Sequence, residues 1–175
     1  MALTEFAPHG EYQVCIEERL LVSRVTGPWN RELVELWAAD ALRGAQRLGD
    51  QGRWAMLAIV SQSMLSTADA VAALGKSIRQ LITQSHPLAS VYVAAPGTEG
   101  RGMVNSGLER MHRGSVPVRF FDSETEARAW LAELLAQAGP HPPGHAAFAV
   151  LLSFWKWDAA RPAHPDAAGD LMPFA

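Results

Sequence analysis

The chain has 175 residues, 49% of them hydrophobic and 19% charged, with a net charge of −3 and a pI near 6. That is enough apolar material for one cored domain, and no basic field marks a nucleic-acid binder. A single cysteine, Cys15, excludes an internal disulfide and fits a reducing compartment.

The opening MALTEFAPHGEY lacks the basic-then-apolar layout of a signal peptide, and no apolar run reaches the ~20 residues that span a bilayer. The expectation is a cytoplasmic protein without a transmembrane segment, whose low charge leaves surface to share with a partner.

Residues 1–10 read as a loose lead-in. Residues 12–17 alternate, Tyr12, Val14 and Ile16 against Gln13, Cys15 and Glu17, as in an edge strand covered on one side. A tight turn at Glu18-Arg19 leads to a second strand over 20–26, which makes an antiparallel hairpin. Gly27-Pro28 breaks the chain. Asn30 then caps a helix over 31–48 with the apolar stripe Leu33, Leu36, Trp37, Ala41, Ala45 and Leu48, and Gly49 is its expected stop.

Residues 54–60 are an unbroken apolar run of strand length, the pattern of a strand buried on both faces in a parallel sheet. A polar turn over 61–66 follows, and Ser66 or Thr67 caps a helix carrying Val71, Leu74, Ile78, Leu81 and Ile82. Gly75 costs that helix about 1 kcal/mol relative to alanine, which points to close packing there. His86-Pro87 ends it, 91–95 is a second buried strand, and 101–113 a helix with Val104, Leu108 and Met111 inward. A strand over 116–121 leads to the capping box Ser123-Glu124-Thr125-Glu126 and a last helix with Ala127, Trp130, Leu131, Leu134 and Leu135 on its apolar side.

The fold class is therefore α/β: a mostly parallel sheet of about five strands with an antiparallel N-terminal hairpin, flanked by about four helices. This domain covers residues 11–137. A proline-rich extension, 138–175, follows it.

Two stretches resemble a known family. VPVRFFDSETEARAWLAELL, and the hairpin running into RVTGPWNRELVELW, are similar to the SpoIIAA-like group of STAS domains. The resemblance spans residues 12–135 by element order and implies a STAS-type fold, related to anti-sigma-factor antagonists and more distantly to lipid-binding CRAL-TRIO domains. It also implies a module that acts by binding. Many antagonists carry a phosphorylatable serine after the central strand, commonly preceded by aspartate; here the loop is Ser61-Gln62-Ser63-Met64-Leu65-Ser66, without the aspartate.

Ligands of open α/β sheets sit beyond the carboxyl ends of the strands. The chain offers Thr26, Trp29 and Asn30; Ser61, Gln62, Ser63 and Ser66; Thr98; and Asp122 with Ser123 there. One carboxylate without His, Cys or Lys is poor equipment for acid–base or covalent catalysis, so no catalytic residue is assigned. A serine-dependent esterase or transferase using Ser61 or Ser63 is the enzyme alternative. Arg101, Arg110 and Arg113 form a candidate anion patch, weighed against a solvated helix face.

His141 and His145 have ligand spacing, but Pro142 and Pro143 between them forbid the helix, so no metal or other cofactor is assigned. In the extension, residues 146–157 carry Phe148, Leu151, Leu152, Phe154, Trp155 and Trp157, an apolar surface that packs at home, crosses to a second subunit or lies on a membrane. The preferred reading is a non-catalytic STAS-like regulatory or protein-interaction module acting as a homodimer through this tail. Its alternative is a carrier of a small apolar, lipid-type ligand.

Overall fold

A computed structural model of the chain describes residues 7–112 and 114–139. Arg113 and the apolar segment 146–157 lie outside the described residues. The elements follow the order β1 (Glu11–Glu17), β2 (Leu20–Thr26), α1 (Arg31–Gln51), β3 (Ala55–Ser61), α2 (Ala68–Ser85), β4 (Ser90–Ala94), α3 (Arg101–His112), β5 (Val118–Phe121) and α4 (Glu124–Ala138). This is the expected α/β class, with five strands and four helices among the described residues.

The strands lie in sequence order, β1-β2-β3-β4-β5, with β1 antiparallel to β2 and the other neighbours parallel. A sheet that grows one strand at a time by crossovers of one hand carries all its connecting helices on one face. Accordingly α1 and α2 pack with Leu21 and Met56, and α3 packs beside Tyr92, Val118 and Phe120. Strand positions of the other parity, among them Val22, Leu57, Val91 and Val93, are buried on the side taken by α4 through Ala127, Leu131, Leu134 and Leu135. An ion cluster ties α4 to the hairpin, Glu124 with Arg24 and Arg128 with Glu17.

Local chemistry explains the element ends. Asn30 Oδ1 accepts the Leu33 amide, and Ser123 Oγ accepts the Glu126 amide. Thr67 caps α2 without a side-chain hydrogen bond. Helix α1 does not stop at Gly49 but runs to Gln51, with Gly52 as cap. Gly49 is instead a contact: a Cβ there would lie 3.3 Å from the Ser85 carbonyl at the end of α2. Gly75 likewise faces Met111 of α3, 3.5 Å from where its Cβ would be. Leu36 and Val71, expected inward, are 49% and 42% exposed; Val34 and Ala70 take the buried positions.

The amino end of the sheet is closed by polar side chains that donate to backbone carbonyls. Trp54, fully buried, donates from Nε1 to the Ser85 carbonyl at 2.8 Å. Arg19 donates to three carbonyls, those of Arg53, Leu135 and Gly139, at 2.7, 3.0 and 3.0 Å. The lead-in, expected to be loose, is tied down over residues 7–10: Asn30 donates to the Ala7 carbonyl and accepts the His9 amide, both at 2.8 Å.

Candidate functional site

At the carboxyl end of the sheet three loops continue the pairing of the strands. The Gly27 amide donates to Ser61, the Trp29 amide to Leu65, the Met64 amide to Glu99 and the Glu99 amide to Gln62. Short bridges join Trp29 to Ser66 and Ser63 to Glu99. Gly27 is required here, because a Cβ would overlap the Ser63 carbonyl. The loop 61–66, read from sequence as a polar turn, is thus splinted on both sides.

The structure gathers Thr26, Trp29, Asn30, Ser61, Gln62, Ser63, Ser66 and Thr98 on these loops, but not around one reacting point. Ser61 is exposed; its hydroxyl lies 3.0 Å from that of Thr26 and donates to the Val25 carbonyl at 3.2 Å. Ser63 is buried and accepts the Leu65 amide at 3.1 Å. Gln62 is exposed, in the left-handed region at φ 64°. Asn30 is occupied by the helix cap and the lead-in. Among the described residues, neither Ser61 nor Ser63 hydrogen-bonds an imidazole or a carboxylate.

Of the proposed anion patch, Arg101 pairs with Asp122 and Arg110 is exposed. Cys15, beside Glu17, has its thiol pushed up, chiefly by burial and then by that carboxylate. Glu124 at the start of α4 is held down to about 2, mainly by its hydrogen bond to Arg24.

Beneath the splinted loops lies a cavity of about 90 Å³, between the sheet and helices α1 to α3. Its walls include Trp29, Trp37, Met56, Ile78, Tyr92 and Leu108, with Ser63–Ser66 at the loop side. The cause is in the strands. Ser23 and Ala58 are register neighbours on β2 and β3, two small side chains side by side where the sheet meets the helices. Ala58 and Val60, though on the central strand, keep accessible surface on this account.

Several of the residues that line the cavity carry polar atoms. Trp29 Nε1 is buried without a hydrogen-bond partner. Ser23 Oγ accepts from Trp37 Nε1 at 3.0 Å, and its own proton meets no acceptor among the described residues. Ser90 donates to the Met56 sulfur at 3.4 Å, a weak acceptor. At the far side Tyr92 stands edge-on to His112, 5.8 Å between ring centroids. His112 is 1% exposed; burial lowers its pKa, opposed by its bond to the Leu108 carbonyl. Burial raises that of Tyr92.

The sequence reading found Trp29 and the 61–66 loop but missed Ser23, Ala58, Ser90, Tyr92 and His112. A signal was present: Ser23 and Ser90 interrupt apolar strands at inward positions. Compared with known proteins, the chain matches no family model and no curated protein. No helix among the described residues is long and apolar enough to cross a membrane.

Proposed function

We propose that the chain is a non-catalytic, STAS-like docking module that binds a regulatory protein partner and a second copy of itself through the carboxyl rim of its sheet. One observation carries this reading: Leu65 and Met103 stand 37% and 79% exposed on a rim whose backbone is held by inter-loop hydrogen bonds. A pre-organised apolar surface loses little entropy on association, the condition for a docking face. The hydroxyls of the rim support the same reading, since Ser61 and Ser63 spend their hydrogen bonds on a neighbouring hydroxyl and on backbone.

Sedimentation velocity of the full-length chain tests it. The expected result is a dimer that Leu65→Glu with Met103→Glu converts to monomer; a wild type that is monomeric up to 100 μM overturns self-association. Ser61 is the loop serine placed for a switch, because phosphorylation would add about −1.5 to −2 charges at this rim. Ser61→Asp is expected to weaken the dimer, and an unchanged dissociation constant would remove the switch from the proposal.

A further inference from the structure

The two edges of the sheet are not guarded alike. An edge strand presents unpaired N–H and C=O groups, and proteins blunt it with short length, proline, lysine, a bulge or a covering element. The β5 edge is blunted: that strand is four residues long and Pro117 stands immediately before it. Strand β1 has none of these devices. It runs for seven residues without Pro, Lys or Arg, and its register with β2 is unbroken from Glu11 to Glu17, so no bulge turns it away.

The register decides which backbone groups of β1 look outward. The Arg19 carbonyl accepts from Ala55, and the Gly27 amide donates to Ser61, so the odd-numbered residues of β2 bond towards β3. Its even-numbered residues therefore bond towards β1, where their partners are Glu11, Gln13, Cys15 and Glu17. The alternation leaves the N–H and C=O groups of Tyr12, Val14 and Ile16 directed away from the sheet. No described residue pairs with these six groups.

We infer that β1 accepts an extended, basic segment of a partner protein, which joins the sheet as an added strand by pairing with Tyr12, Val14 and Ile16. Charge selects the segment. Arg24, Arg128, Glu17 and Glu124 neutralise one another beside the strand. Glu11 and Glu18, at its two ends, are exposed and in no ion pair among the described residues. The complementary segment carries Lys or Arg at both ends of the same span. Between them its residues alternate, with the apolar ones on the α1 side, where Ile16 stands 38% exposed. A second copy of β1 fits poorly. The antiparallel register that engages all three outward residues of both copies centres on Val14 and sets Glu11 opposite Glu17 at each end, a like-charge clash.

The test is amide NMR of the full-length protein titrated with an end-blocked octapeptide of alternating Thr and Val with Lys at both ends. Saturable shifts are expected at Tyr12, Val14 and Ile16, with solvent exchange of these three amides slowed about tenfold, and none at Ser63 or Met64 on the rim. Methylating the peptide nitrogens along its bonding edge should abolish binding. Replacing both lysines by glutamate should weaken it about three- to tenfold at low salt and less at high salt. Val14→Pro removes an outward N–H without touching the ladder to β2, and should weaken the peptide about tenfold.

The inference is overturned if the peptide gives no saturable shifts at millimolar concentration, or if the methylated peptide binds as well as the parent. It is equally overturned if the three outward amides already exchange slowly in the free protein, because the chain's own segments or a second copy then cover the edge. Equal binding of the glutamate peptide removes the assignment to a basic segment. None of these results depends on whether the rim docks a partner, which is read at Leu65 and Met103.

Discussion

The two ends of the sheet solve the same problem differently. At the amino end side chains reach across to backbone carbonyls: Trp54 to that of Ser85, Ser85 Oγ to that of Leu81, and the Arg19 guanidinium to three, although Arg53 Nε is buried without a partner. At the carboxyl end the loops are closed through their backbones, and they roof a cavity of about 90 Å³. One end is closed by side chains that reach backbone carbonyls, while the other is closed by backbone pairing over open space. Stability should therefore respond most at the first end and binding at the second.

The largest effect is expected from Trp54→Ala, which empties a fully buried site and strands the Ser85 carbonyl; about 3–5 kcal/mol should be lost in urea unfolding. A loss under 1 kcal/mol would show that the amino end is not the firm one. Next is Gly27→Ala at the carboxyl end, where the new methyl must push the Ser63 carbonyl aside. It should cost about 1–3 kcal/mol and raise amide exchange at Ser63 and Met64.

Ala58→Val should run the other way, stabilising the protein by about 0.5–1 kcal/mol because it occupies space that is open in the wild type. A destabilisation would mean that the helices have no room to give.

The smallest effect at neutral pH concerns His112. Burial holds its folded pKa below the ordinary value, so in acid the unfolded chain binds the extra proton first. Its contribution is present above the unfolded pKa of ~6.5 and lost as the pH falls below it towards the folded value. Urea midpoints between pH 7.5 and 5.5 should fall more steeply for the wild type than for His112→Gln. Parallel profiles would place the titration elsewhere.

Much of the fold was legible because its signals are local. Asn30 and Ser123 announce helices α1 and α4 through hydrogen bonds within one turn, and the apolar run of β3 needs no knowledge of its neighbours. What was not legible depends on distant contacts. Gly49 reads as a stop in any sequence, but it lies inside α1 where the end of α2 comes close, 3.3 Å from the place of a Cβ. Leu36 and Val34 are equally apolar, and only the placement of the sheet decides that Val34 goes inside.

The site was half legible for the same reason. Loop membership follows from element order, so Trp29 and residues 61–66 could be named, whereas the cavity arises from a register that pairs Ser23 with Ala58 across two strands. His112 sat in a helix read for its basic residues and turns out to be among the most buried side chains.

The bridges between the rim loops have a mechanical meaning. Met64 walls the cavity, and its amide is bonded to the Glu99 carbonyl, two residues before α3 begins; the first turn of that helix carries Met103. Any movement of Met64 must stretch that tie or haul Glu99 along with it. Interior wall and outer contour are thus joined through the hydrogen bonds between two loops, so that a change on one side is passed to the other.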